Sequence, residues 1–129
     1  MSLDYSTQEL MIIASAREIK DNERIFVGMR LPITAYGVAR LTHAPNAVGL
    51  FESGIARYEP ADGMLYTMCD APNQLGAAWT CGLIQIMGML SGGRVHAGFI
   101  GGAEIDKFGN INTSYIGGIE NPKVKRPGS

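Results

Sequence analysis

Ala47-Val48-Gly49-Leu50-Phe51-Glu52-Ser53-Gly54 decides how this chain folds. Residues 47–51 form an apolar run of strand length, and Ser53-Gly54 supplies a bend after it, which predicts a buried β-strand with Glu52 at its carboxyl end. Upstream, Arg24-Ile25-Phe26-Val27-Gly28 reads as a second short strand and Met29-Arg30-Leu31-Pro32 as the turn that follows. Residues 33–42 carry Ile33, Tyr36, Gly37, Val38 and Leu41 at helical spacing. Pro32 suits the first turn of that helix, where its missing amide hydrogen removes no bond. Strand, helix and strand make a βαβ unit, whose default is a right-handed crossover between parallel strands. Ligands bind at the carboxyl ends of strands in open α/β sheets. Glu52 is therefore a candidate nucleophile or general base, since a carboxylate partly removed from water is more reactive and easily shifted in pKa. The plain alternative is a solvated loop glutamate.

Outward from this unit, Ser6-Thr7-Gln8-Glu9 is a capping box, and Leu10, Ile13, Ala14, Ala16 and Ile19 follow it on one broad packing face. Lys20-Asp21-Asn22 ends that helix. Between residues 54 and 68 the pattern loosens, with Arg57, Glu59, Pro60, Asp62 and Gly63 marking an exposed loop and residues 65–68 reading as a short strand. Residues 73–90 are strongly apolar and keep helical spacing despite glycines at 76, 82 and 88, each of which weakens a helix by about 1 kcal/mol relative to alanine. Residues 94–100 read as a buried strand ending in Gly101-Gly102-Ala103, where backbone amides can approach a ligand as in oxyanion loops. A simple turn explains that pair of glycines equally well. Residues 106–109 form a tight turn between two extended segments. Alternating strands and helices give an α/β domain with a mainly parallel open sheet flanked by helices.

The 129 residues are one domain's worth. Apolar residues make up 46% and charged ones 18%, few enough charges that a second chain covering part of the surface would account for the shortage. A net charge of −1 without a basic block argues against nucleic acid and anionic membranes as partners. With no run approaching the roughly 20 apolar residues of a membrane span and no signal-type amino terminus, a cytoplasmic protein is expected. Cys69 and Cys81 are too few and too loosely spaced for a disulfide framework or a zinc knuckle, so free thiols with a packing role are expected and no metal site.

The order and wording of these motifs resemble the β subunits of family I coenzyme A transferases, glutaconate CoA-transferase among them. The resemblance runs from Thr7-Gln8-Glu9-Leu10-Met11 through Leu31-Pro32, Val38-Ala39-Arg40, Ala44-Pro45 and Glu52-Ser53-Gly54. It continues through Phe99-Ile100-Gly101-Gly102-Ala103-Glu104-Ile105-Asp106 to Phe108-Gly109-Asn110-Ile111-Asn112, its most specific part. It implies the CoA-transferase and phosphosugar isomerase type of fold, with residues 1–129 as a single β-type domain. It further implies that Glu52 is the nucleophile and that an acyl-glutamyl anhydride and a glutamyl-CoA thioester are intermediates. The implied substrates are an acyl-CoA and a carboxylic acid, with no tightly bound cofactor, and the implied partner is an α subunit. Gly28, Arg30, Ser53, Gly54, Gly101, Gly102 and Ala103 fall at the implied substrate- and CoA-binding positions.

The chain departs from the family pattern twice. Arg30 stands where relatives commonly have the second glycine of a Gly-x-Gly before the Leu-Pro turn, a cation suited to reshape the pocket or to bind a substrate carboxylate. The sequence also stops at Arg126-Pro127-Gly128-Ser129, where family members continue, so it reads as the amino-terminal half of such a subunit. A CoA-thioester hydrolase of the same fold, a non-catalytic assembly fragment and a phosphosugar isomerase are the rival readings. Glu52 favours transfer among them.

Overall fold

The computed structural model describes residues 4–126. The chain forms two compact units, Met1–Phe99 and Ile100–Ser129. The first carries α1 (Thr7–Arg17), β1 (Arg24–Val27), α2 (Leu31–Thr42), β2 (Val48–Phe51), β3 (Ile55–Arg57), α3 (Ala71–Gln74), β4 (Trp79–Thr80), α4 (Leu83–Ser91) and β5 (Ala97–Phe99). Its five strands lie in the order β4-β3-β2-β1-β5. The strand pairs β1–β2 and β1–β5 are parallel, whereas β2–β3 and β3–β4 are antiparallel. The expected βαβ unit is thus present as β1-α2-β2, with Val27 opposite Phe51 at the carboxyl edge.

Side chains on the sheet alternate between its faces. Ile25, Val27, Phe51 and Ile55 pack with Ala16, Ala35, Tyr36 and Ala39 from α1 and α2. Phe26, Leu50 and Ala56 pack instead with Ile86 of α4. Helices therefore flank both faces of the sheet. Tyr36 anchors the first layer, its ring edge-on to Phe51 with centroids 6.3 Å apart and its hydroxyl donating to the Arg57 carbonyl at 2.8 Å. His43 ties the ends of α1 and α2, with Nε2 at 3.1 Å from the Ala16 carbonyl oxygen and 3.0 Å from that of Ile19.

The capping box forms as the sequence indicates, Glu9 N donating to Ser6 Oγ and Ser6 N to the Glu9 carboxylate. The packed face of α1 differs from the expected one. Ile12 and Ala16 turn inward together with Ile19 beyond the helix end, while Leu10, Ile13 and Ala14 are exposed, because a narrow stripe of α1 packs into the layer formed with α2 and the sheet.

Four further expectations are corrected. Residues 54–68 are not all loop: β3 is fully buried, and Arg57, expected exposed, is 3% exposed. Residues 65–68 form no strand, because Asp70 takes their amides, Tyr66 and Thr67 both donating to its Oδ2. The helix expected over residues 73–90 breaks into α3, β4 and α4. Gly76 turns the chain at φ 71°, the Arg57 guanidinium takes the carbonyls of Asn73 and Leu75, and residues 79–80 pair with β3. The strand expected over residues 94–100 shortens to β5, an edge strand only half-buried at Ala97 and Phe99. Both thiols are free, as expected, but Cys69 is exposed and packs in no core.

The second unit contains two hairpins, β6 (Glu104–Ile105) with β7 (Ile111–Asn112) and β8 (Tyr115–Gly118) with β9 (Asn121–Lys125). The turn expected at residues 106–109 is built around one carboxylate. Asp106 Oδ1 accepts from the amides of Phe108 at 2.8 Å and Asn110 at 2.9 Å, and Oδ2 accepts from the Asn110 side chain at 2.7 Å. Among the described residues no helix is long and apolar enough to cross a membrane.

The Asn110 side chain, then the Asn110 and Phe108 amides, hold the Asp106 carboxyl below the ordinary aspartate value of 3.8. The turn is therefore fully supported above that value and loses this support as pH falls through the lower, folded-state midpoint. An NMR titration of the Asp106 carboxyl carbon is expected to show a midpoint below 3.8, with the Phe108 and Asn110 amides losing protection at the same pH. A midpoint at or above 3.8 would contradict the bonded turn.

Candidate functional site

Parallel pairing of β1 with β2 sets Gly28 and Glu52 one residue past two neighbouring strand ends. Glu52, Ser53 and Gly54 form the connection of the β2–β3 hairpin. A three-residue hairpin loop wants a residue of positive φ at its last position, and Gly54 meets this at φ 91°. The turn closes through Gly54 N donating to the Phe51 carbonyl at 2.9 Å. It is then pinned from outside. Cys81 N donates to the Gly54 carbonyl at 2.7 Å, and Ser53 Oγ donates to the Met68 carbonyl at 3.1 Å.

Glu52 itself is exposed and makes no hydrogen bond or ion pair among the described residues. The partial removal from water that the strand-end placement led one to expect is absent among the described residues. The carboxylate is instead presented on a fixed backbone with its oxygens free.

Arg30 lies at the start of α2 with φ 67° and ψ −118°, a backbone conformation that disfavours every side chain and suits glycine. It caps no helix amide with its side chain and makes no ion pair among the described residues. Arg30 lines a cleft of about 440 Å³ together with Thr34, Tyr36, Phe51, Pro60 and Met64. Glu52 lies outside that lining but directly follows Phe51, so cleft and carboxylate share one strand end. Burial pushes the Tyr36 phenol up in pKa, against a smaller opposing effect from the backbone, so Tyr36 serves there as a neutral wall.

The remaining sequence candidates belong to the second unit. Gly101 and Gly102 are exposed, and their amides have no partner among the described residues. At Gly102 a Cβ would stand 2.7 Å from Ile111 Cγ2, so a larger residue would need the Ile111 side chain to shift. The Ala103 amide is already committed, donating to the Asn112 carbonyl at 2.8 Å, which removes it as a ligand donor. Glu52, Ser53, Gly54, Gly28 and Arg30 thus gather on one edge of the first unit, and the glycine pair is set on the other unit.

Two groups that shape this edge escaped the sequence reading. Arg57 is buried at the end of β3, and Asn73 is wholly buried in α3. A hairpin signal was there to find them by: Leu50-Phe51 and Ile55-Ala56 flank three residues ending in glycine.

The model of the coenzyme A transferase family matches residues 8–129. One subunit of the 3-oxoadipate CoA-transferase of Pseudomonas knackmussii is 39% identical over 97% of this chain and 48% of its own length. One subunit of the glutaconate CoA-transferase of Acidaminococcus fermentans is 29% identical over 98% of this chain and 49% of its own length. The crystal structure of glutaconate coenzyme A-transferase from the same organism superposes with a TM-score of 0.83 at 26% identity, covering 98% of this chain and 50% of that one. A decarboxylase, AibA/AibB, superposes with a TM-score of 0.81 at 29% identity, covering 97% of this chain and 52% of that one. The chain thus spans about half the length of the curated relatives it matches.

The turn geometry gives a direct test. A Cβ on Gly54 would run into the Cys81 carbonyl, and its φ of 91° strains any other residue. Gly54→Ala is expected to lower unfolding stability by about 2 kcal/mol or more in a urea titration. An unchanged midpoint would mean that the turn is not held as described.

Proposed function

Because this chain belongs to the coenzyme A transferase family, we propose that it carries the nucleophile of a CoA transfer between an acyl-CoA thioester and a carboxylic acid, and that Glu52 is that nucleophile. The carrying observation is the placement of Glu52 on a braced hairpin turn at the carboxyl edge of two parallel strands, beside a cleft that Arg30 lines.

The chemistry follows from a free carboxylate in a fixed position. A Glu52 oxygen attacks the thioester carbonyl, the carbon–sulfur bond breaks, and an acyl-glutamyl anhydride and CoA thiolate result. The thiolate attacks the glutamyl carbonyl of the anhydride and expels the first carboxylate, leaving a glutamyl-CoA thioester. The acceptor carboxylate attacks that thioester and again releases thiolate. The thiolate then attacks the new acyl group, forms the product thioester and frees Glu52. No oxidant or reductant enters, and the CoA thioester is a substrate, so no resident cofactor is called on.

Arg30 is suited to pair with a substrate carboxylate, because a charge-assisted hydrogen bond is worth the backbone strain that its position costs. Glu52 is exposed among the described residues and needs cover for this chemistry. The relatives' names make each of them one subunit of its enzyme. An α-type partner is therefore the proposed source of that cover, and residues 1–129 act as one β-type domain toward it.

The exposure of Glu52 favours one second reading, hydrolysis of the thioester by water that reaches the adduct. The experiment is mass spectrometry of the assembled enzyme after incubation with a panel of acyl-CoAs, with free CoA measured in parallel. A CoA adduct on the Glu52 peptide and product acyl-CoA support transfer, whereas free CoA in place of product supports hydrolysis. Glu52→Gln is expected to lower exchange at least about a thousandfold with folding unchanged. Retained exchange would remove Glu52 from the mechanism.

Arg30→Gly separates binding from stability. It relieves the positive-φ strain, so unfolding stability is expected to hold or to rise by about 1 kcal/mol. The KM for the carboxylate substrate is expected to rise roughly ten- to hundredfold, with kcat little changed. An unchanged KM would leave Arg30 outside the binding site.

A further inference from the structure

Arg57 carries a guanidinium that ordinary burial logic does not explain. It is 3% exposed, and the one ion pair among the described residues, Arg40 with Glu59 at 2.8 Å, does not include it. Backbone carbonyls satisfy it instead. Nε donates to Glu59 O at 2.9 Å, and Nη1 donates to Asn73 O at 2.7 Å, to Leu75 O at 2.6 Å and to Pro72 O at 3.3 Å. Nη2 donates to Pro60 O at 3.3 Å. A planar fork with five donors can gather more carbonyls from separate segments, in fixed directions, than lysine's three-donor ammonium.

The fixed segment reaches the Glu52 turn through one further side chain. Asn73 has no exposed surface, and its Nδ2 donates to the Met68 carbonyl at 2.7 Å. The same carbonyl accepts from Ser53 Oγ at 3.1 Å. Asn73 Oδ1 is buried without a partner. Ser53 is the residue after Glu52.

We propose that Arg57 and Asn73 are positioning residues for Glu52, acting in sequence through the Met68 carbonyl and the Ser53 hydroxyl. This rests on the reading of Glu52 as the nucleophile. The guanidinium sets residues 72–75, Asn73 hands that position to Met68, and Met68 holds Ser53. The Cys81 amide on the Gly54 carbonyl secures the other side of the same turn. A carboxylate with no hydrogen bonds of its own is placed, up to its Cβ, by the backbone that bears it.

The test uses Ser53→Ala, Asn73→Ala and their double variant in the assembled enzyme, with Ser53→Thr as the conservative control that keeps the hydroxyl. Each single variant is expected to slow formation of the Glu52 adduct about tenfold with KM unchanged, the loss of one hydrogen bond's worth of orientation. The double variant is expected to be no worse than the slower single, because both act through one carbonyl. Ser53→Thr is expected to recover part of the rate that Ser53→Ala loses. Hydrogen exchange gives a readout independent of chemistry. The Gly54 and Cys81 amides are expected to exchange about tenfold faster in Asn73→Ala and in Arg57→Lys, while the Phe26 and Leu50 amides of the parallel pair do not change. Losses that multiply in the double variant, an unchanged turn, or a uniform rise across the sheet would each overturn the proposal. Absence of any adduct in the unsubstituted enzyme would instead defeat the nucleophile assignment, and the exchange data would still decide the positioning.

Discussion

The register of β1 against β2 is the constraint on which the site depends. With Val27 opposite Phe51, the residues that follow, Gly28 and Glu52, leave the sheet at one edge. A parallel pair cannot be joined by a tight turn, so the chain must cross over, and α2 is that crossover. Its start therefore has to lie at the same edge, which is where Arg30 stands. One pairing thus brings together a carboxylate, a cation and the mouth of a cleft. A slip of one residue would exchange the two faces of β2 and send Phe51 away from Tyr36.

The edge is rigid because polar groups behind it are tied to backbone rather than to one another. Tyr36 and Arg57 both bond main-chain carbonyls, and Arg57 draws residues 59–60 and 72–75 onto the hairpin. A carboxylate partner for Arg57 would have neutralised its charge but fixed only one point. Distributing the donors fixes two segments. The same capture breaks up an apolar stretch with helical spacing, so that residues 79–80 can extend the sheet beside β3.

What the sequence discloses is the part written in local pattern. The capping box at Ser6, the β1-α2-β2 unit, the Asp106 turn and the edge position of Glu52 all rest on signals within a few residues. What it conceals is set by partners distant in the chain. The carbonyls of Pro72, Asn73 and Leu75 are claimed by Arg57, from 15 to 18 positions away, and nothing in their own spacing announces it. Arg57 itself reads as a loop cation because charged residues are so seldom buried. In α1, helical spacing shows which residues share a stripe, but not how wide a stripe the neighbouring helix will cover. The site divides in the same way. Glu52 and Arg30 are legible as residue types at a strand end, while the exposure of Glu52 depends on what covers the edge.

That exposure bears on the choice between transfer and hydrolysis. Anhydride and thioester intermediates are both open to water, and a transferase must keep them dry long enough for thiolate and acceptor to return. The turn described here fixes the backbone that carries the nucleophile but does not shield it. Orientation and shielding are therefore separate duties in the proposed reaction. The first is discharged within this chain by Gly54, Ser53 and the residues behind them. The second falls to whatever closes over the edge, and its quality would set how often an adduct is passed to an acid rather than lost to water. A chain that fixes the backbone of Glu52 has built in the part of the reaction that backbone geometry can supply, and leaves selectivity between water and acid to its cover.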